Sequence, residues 1–219
     1  MPGVTISAAY GAGGQPIARL VANQLGFTYL DRAISSEVAA KLHVTTEEAE
    51  GAVINRSLAE RFFTVLAPMA GGVIGTDPDA LAEAPLPGDD AARFRQQAEV
   101  IMRRALKRGA VILGRAGGAA FRQEADVLRV RLFGPREARI DLAARRAGVA
   151  RETAAARLPQ VDRARAQYVR RLYDRDVDDP DLYQLQLDST AIPEDGCAAA
   201  IVAAFRSFAP SVGPGLDPA

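Results

Sequence analysis

With 219 residues, 48% of them hydrophobic and 25% charged, the chain can bury a sizeable core and has the composition of an ordinary globular domain. Its 27 basic and 27 acidic residues cancel, so no overall field draws it to nucleic acid or membrane. The single cysteine, Cys197, excludes an internal disulfide, and the single histidine, His43, excludes a multi-histidine metal site.

The N-terminal Met1-Pro2-Gly3 leads into a strand-like run without the basic and apolar regions of a signal peptide. No apolar stretch reaches the ~20 residues that span a bilayer. A cytoplasmic protein is expected. Short apolar runs predict strands at 4–7, 27–30, 110–113, 127–133 and 183–187, of the kind that is covered on both faces. The first helix is predicted from Pro16, at its first position, to Leu25, with Ile17, Leu20, Val21 and Leu25 on one face and Gly26 as its cap. Another starts near Asp90 and stops at Lys107-Arg108-Gly109, and a third opens at Pro135 and closes at Gly148. Strands alternating with helices predict an α/β fold, a three-layer domain around a parallel sheet.

Two segments interrupt the alternation. Residues 34–108 hold two or three predicted helices, a Gly/Pro/Asp-rich stretch at 71–90, and an apolar run at 62–69 that suits either core packing or a partner interface. Residues 145–178 form a second helical insertion. The tail from 207, rich in proline and glycine, is expected to be disordered, leaving one domain over 1–206.

Three motifs carry chemistry. Gly11, Ala12, Gly13, Gly14 and Gln15 form a glycine turn between the first strand and helix, where backbone N–H groups and a helix N-terminus can hold phosphate. Set against G-x-x-x-x-G-K-[ST], with Gly13 as the second glycine, Ala8 replaces the first, Gly14 the lysine and Gln15 the hydroxyl. A ligand-free tight turn is the plain alternative. The second motif is arginine. Lys41 and Lys107 are the two lysines, so phosphate chemistry here leans on arginine forks. Residues 145–175 contain nine arginines against Glu152, Asp162 and Asp174. Asp162-Arg163-Ala164-Arg165 is the most site-like part, because a carboxylate beside paired arginines can hold them in place; a solvated helix face competes with a phosphate-covering lid. The third is Gly114-Arg115 after the third strand, with Asp31-Arg32 after the second. Both stand at strand ends, where open α/β sheets bind ligands, though a surface ion pair and a helix cap also suit them.

In order and spacing, the chain resembles the cytidylate kinase-like family, relatives of bacterial cytidylate kinases among the nucleoside monophosphate kinases. The likeness covers nearly all of residues 3–205. It rests on Thr5-Ile6-Ser7 with Tyr10-Gly11 and Gly13-Gly14, Leu25-Gly26 with Tyr29-Leu30-Asp31, and Val111-Ile112-Leu113-Gly114-Arg115. Asp162-Arg163-Ala164-Arg165 with Tyr168, and Leu185-Gln186-Leu187-Asp188-Ser189-Thr190, complete it. The resemblance implies a P-loop kinase fold, with the monophosphate-binding insertion in 34–108 and the lid in 145–178. The chain departs from the family at Ala8 and Ala9, where an arginine is usual. It departs again at Ala116 and Leu113, where cytidylate kinases carry acidic residues, so the third strand ends without a carboxylate for magnesium.

The function so implied is transfer of a phosphoryl group from ATP to a nucleoside monophosphate or similar small acceptor. The backbone of Gly11 to Gln15 would hold the donor phosphate. Arg163 and Arg165, with Arg157 as a third, would cover the transferring group, and Asp162 would orient them. Asp31, Arg32 and Arg115 would face the acceptor. No protein metal ligand is predicted; magnesium would be held by phosphates and water. A homodimer stays open, and nucleic acid is disfavoured because Tyr168 and Tyr173 are the only aromatics among the arginines of 145–175. The alternative is a nucleotide-binding regulatory protein, or a partner-binding module, that kept the fold and lost turnover.

Overall fold

The computed structural model describes residues 2–30 and 88–208. His43, the apolar run at 62–69, most of the first insertion and the tail beyond 208 lie outside the described residues.

Five strands, β1 (Gly3–Ala8), β2 (Thr28–Leu30), β3 (Ala110–Leu113), β4 (Val127–Phe133) and β5 (Leu185–Asp188), form one sheet in the order β2-β3-β1-β4-β5. Every pairing is parallel, with Val4 opposite both Val111 and Leu128. The helices are α1 (Gly14–Leu25), α2 (Gly88–Leu106), α3 (Gly117–Ala120), α4 (Arg136–Ala147), α5 (Arg151–Tyr173) and α6 (Glu194–Phe208). The five expected strands are all present. The last begins two residues late, because a 3-10 turn at Pro180–Leu182 runs directly into Tyr183.

Alternation along β1 decides the layers. Val4, Ile6 and Ala8 pack with Ile17, Ala18 and Val21 of α1 and with Cys197, Ala198 and Ile201 of α6. Thr5 turns to the other face, where its Cβ would lie 2.9 Å from a Cβ placed on Gly117 of α3. On that face Met102 and Leu106 of α2 pack with Ala110, Ile112, Phe121 and Val127. Each fully buried valine, leucine, isoleucine, phenylalanine or methionine among these contributes about 1.5–3 kcal/mol. A third cluster joins Tyr10 to Ile140 of α4 and to Ala154, Leu158 and Val161 of α5.

Helix α1 starts two residues earlier than its sequence suggests. Gly13, left-handed at φ 68°, is the N-cap, which puts Pro16 at the third helical position rather than the first. The missing N–H is still harmless there, since the first four have no acceptor in their own helix. Gly26 and Gly148 end α1 and α4 in the left-handed conformation, as their sequence positions indicate.

Candidate functional site

The turn from β1 into α1 is held from several sides. Ala9 N–H donates to Leu132 O at 3.0 Å and Ala12 N–H to Ala9 O at 3.1 Å. The buried Ser189 hydroxyl, just past β5, donates to Ala12 O at 2.7 Å. Gly11 has φ 77°, and a Cβ there would stand 2.1 Å from the carbonyl oxygen of Arg139. A Cβ on Gly13 would meet the Arg146 guanidinium at 2.6 Å. The turn is therefore glycine for two reasons, left-handed backbone and close cover. Beyond it the first-turn N–H groups of α1 lack helical acceptors, and no acidic side chain in that turn offsets the positive helix end.

Arginines from two helices surround this turn. Arg139 and Arg146 lie two turns apart on α4 and so share a face. Arg139 donates through Nε to Gly134 O at 3.0 Å and through Nη1 to Tyr10 O at 3.1 Å and Asp162 Oδ2 at 2.6 Å. The other oxygen of Asp162 accepts the Tyr10 N–H at 2.8 Å. Arg146 pairs with Glu194 at the start of α6. From α5, Arg165 donates to Ala8 O at 3.0 Å.

Beside the turn, at the carboxyl ends of β1 and β4, lies a cavity of about 220 Å³ whose lining includes Arg131, Arg139, Arg165, Asp162 and Asp178. Arg131 donates to Ser7 Oγ at 2.9 Å and to Asp178 Oδ1 at 2.5 Å. Two residues earlier Arg129 is buried under backbone carbonyls, donating to Leu182 O at 3.0 Å and Phe121 O at 3.2 Å. Burial lowers its pKa, helped by the nearby charge of Arg122. At the end of β5 the Thr190 hydroxyl holds the Asp188 carboxyl below its ordinary value, with the Thr190 and Ala191 N–H groups adding to the effect.

The structure brings together only some of the residues singled out from sequence. Gly11 to Gln15 form the turn and the start of α1. Asp162 and Arg165 reach it from α5. The Asp162 carboxylate, expected to orient Arg163 and Arg165, accepts from Tyr10 N–H and from Arg139. Arg163 is exposed and Arg157 half-buried, nearly two turns earlier on α5. Arg115 follows β3, on the far side of β1 from the cavity. There Gly114, Arg115 and Ala116 are left-handed in succession, at φ 73°, 54° and 53°. For the two non-glycine residues that costs about 1–2 kcal/mol each, strain of the kind that collects at functional loops. Asp31 and Arg32 lie outside the described residues.

Sequence reasoning missed Arg131 and Arg139, and gave no individual role to Arg146, one of the nine arginines of 145–175, or to Ser189. The seven-residue spacing of Arg139 and Arg146 was a usable signal for one helix face. Arg131, inside an apolar strand, was a second, because a charge in a covered strand needs a partner.

The sequence profile of the cytidylate kinase-like family matches residues 3–191. Among solved structures, an uncharacterised protein from Eubacterium ventriosum superposes with a TM-score of 0.63 at 17% identity, over 94% of this chain and 98% of that one. A gluconokinase from Sinorhizobium meliloti superposes with a TM-score of 0.50 at 11% identity, over 95% and 93% of the two chains. No curated protein matches the chain. At such identities the likeness is one of fold, and the fold is that of the P-loop kinases.

Proposed function

We propose, since the chain belongs to the cytidylate kinase-like family, that it binds ATP at the glycine turn and transfers a phosphoryl group to a nucleoside monophosphate or similar small acceptor. The observation that carries this reading is the convergence of the α1 N-terminus with Arg139, Arg146 and Arg165 on one short turn. A positive helix end, glycine backbone and arginine forks are the parts that hold a phosphate chain. Arg146, already seated over Gly13, would hold the donor phosphate where a lysine is absent.

ATP, when bound, supplies the phosphoryl group; the acceptor oxygen bonds to phosphorus as the bond to the ADP oxygen breaks. The chain's own part is positioning and charge. Arg165 and Arg139 would cover the transferring group, with Arg163 and Arg157 joining from α5 and Asp162 setting Arg139. Arg115, Asp31 and Arg32 would serve the acceptor. In this reading 34–108 holds the monophosphate-binding insertion and 145–178 the lid. Losing one charge-stabilising donor costs about 10²–10³ in rate, and a supplied arginine can return about 10³–10⁵. The missing lysine therefore does not decide against turnover.

Magnesium fits the described residues less well. No group of three or more His, Cys, Asp or Glu among them could hold a metal ion, and β3 ends in the buried Leu113. Magnesium would take its oxygens from phosphates and water. The setting proposed is the cytoplasm; no described helix is long and apolar enough to cross a membrane.

One observation favours a second reading, nucleotide binding without turnover. Arg139, Arg146 and Arg131 are already paired with Asp162, Glu194 and Asp178. The deciding experiment incubates the chain with magnesium, ATP and a panel of nucleoside monophosphates, and follows ADP and nucleoside diphosphate. Diphosphate formed with one acceptor is expected. Saturable ATP binding without product would support the second reading, and loss of both would sink the two together.

A further inference from the structure

The chain leaving β5 is folded tightly onto the chain leaving β4. Asp188 Oδ1 accepts from Thr190 N–H at 2.9 Å and from the Thr190 hydroxyl at 2.6 Å, which closes a short turn. A Cβ on Gly134 would stand 2.4 Å from Thr190 Cγ2, so that turn lies flush against the end of β4. Inside it Ser189 N–H donates to Phe133 O at 3.1 Å. Ser189 is thus fixed to the rigid end of the sheet, and it is buried.

A hydroxyl has one proton to give. That of Ser189 has Ala12 O at 2.7 Å and Phe133 O at 3.3 Å, so the glycine turn takes it. Ala12 is fully buried, and its carbonyl has no water to turn to. The peptide from Ala12 to Gly13 is trans, which points its N–H opposite to its C=O. A hydroxyl that grips Ala12 O therefore aims the Gly13 N–H away from Ser189. Among the described residues that N–H has no acceptor. Gly13 is also the N-cap of α1, so the N–H stands with the positive end of that helix.

We propose that Ser189 is a positioning residue for phosphate at the glycine turn, a role that rests on the ATP reading of that turn. Its hydroxyl holds the Ala12 carbonyl back, so that the Gly13 N–H is presented to the donor phosphate beside the N-terminus of α1. Ser189 touches no ligand itself; it gives the backbone donor its direction. Without the hydroxyl the buried carbonyl is left unpaired, the peptide turns to find another donor, and the N–H leaves the phosphate.

Titration of the full, isotope-labelled chain with ATP, read by calorimetry and by the Gly13 amide resonance, tests this. Saturating ATP should move the Gly13 amide proton downfield in the unaltered chain. Ser189→Ala should bind ATP about tenfold more weakly and lose most of that shift even when saturated. A residue that served stability alone would leave the shift at saturation as it was. Thr190→Val removes a hydroxyl bond of the same turn but leaves the bond from Ser189 to Ala12 in place, so it should keep both affinity and shift. Should urea melts show Ser189→Ala unfolded, Ser189→Cys, a weaker donor of similar size, carries the test, with a smaller loss in the same direction. Unchanged affinity and shift in the folded Ser189 variant would overturn the positioning role and leave the ATP reading standing. An equal loss in Thr190→Val would overturn it as well, because any loosening of the turn would then suffice. Absence of ATP binding by the unaltered chain would sink the ATP reading itself, and this role with it.

Discussion

Asp162 holds two elements at once, the Tyr10 N–H on the glycine turn and the Arg139 guanidinium on α4. Arg139 is only 13% exposed and Asp162 30% exposed, so neither group is freely rehydrated when the other is lost. Truncation to Asp162→Ala removes the carboxylate from a half-buried guanidinium, which keeps only carbonyl acceptors, and takes away the side-chain acceptor of the Tyr10 N–H; it should cost about 2–3 kcal/mol. Arg163→Ala, one residue on but exposed, should stay within about 0.5 kcal/mol. Urea unfolding of both variants measures this directly, and equal midpoints would show that Asp162 is no clamp. Adjacent residues in one motif thus separate by burial. The sequence placed Asp162 beside two arginines of its own helix; it did not show Arg139, 23 residues away, on a helix whose packing no local pattern announces.

Glycines at element junctions separate in the same manner. Gly26, left-handed at φ 64°, has open space where a Cβ would stand, with nothing within 4 Å, whereas at Gly11 a Cβ would lie 2.1 Å from the Arg139 carbonyl. Gly26→Ala should therefore cost only the left-handed penalty, about 1–2 kcal/mol, measured by thermal melts. Gly11→Ala adds displacement of α4 and should also weaken ATP binding; an equal loss in the two variants would mean that α4 yields freely. The turn after β5 gives a pH-dependent case. The Thr190 hydroxyl holds the Asp188 pKa down in the folded chain. A carboxyl depressed in this way adds stability that is full above its unfolded pKa and is lost as pH falls through the lowered folded value. Thr190→Val should flatten that acid limb, seen as urea midpoints that change less between about pH 2 and 6 than those of the unaltered chain. Strands, caps and their order were legible here because each follows from a local rule: apolar runs make covered strands, and Gly26 and Gly148 stop helices. The cover over the glycine turn was not, because it depends on which helix face meets which loop.

Across the whole molecule, the parallel sheet follows from short strands separated by helices, and the sequence showed that much, though not the order that puts β1 at its centre. Nor could it show the cavity at the carboxyl ends of β1 and β4, since that depends on how α4 and α5 pack over the turn at Tyr10. The same layering buries the only thiol. Cys197 is fully buried in the cluster of α1, β1 and α6, its Sγ 3.5 Å from Ile192 O. Burial pushes its pKa up, with the charges of Asp188 and Glu194 adding to the effect. A disulfide reagent needs both access and thiolate, and the folded chain withholds both. Labelling must then pass through an opening of the layer between α6 and the sheet. For a domain with ordinary stability of about 5–15 kcal/mol, the rate should fall at least ~10³-fold below that in concentrated urea. Saturating ATP, if it binds as proposed at the turn that Ser189 ties to this layer, should slow it further by the factor by which ligand favours the folded state. Labelling that is slow without ATP and unchanged with it would mean that α6 opens independently of the glycine turn. Labelling as fast as in urea would mean that α6 is not part of the cooperative core.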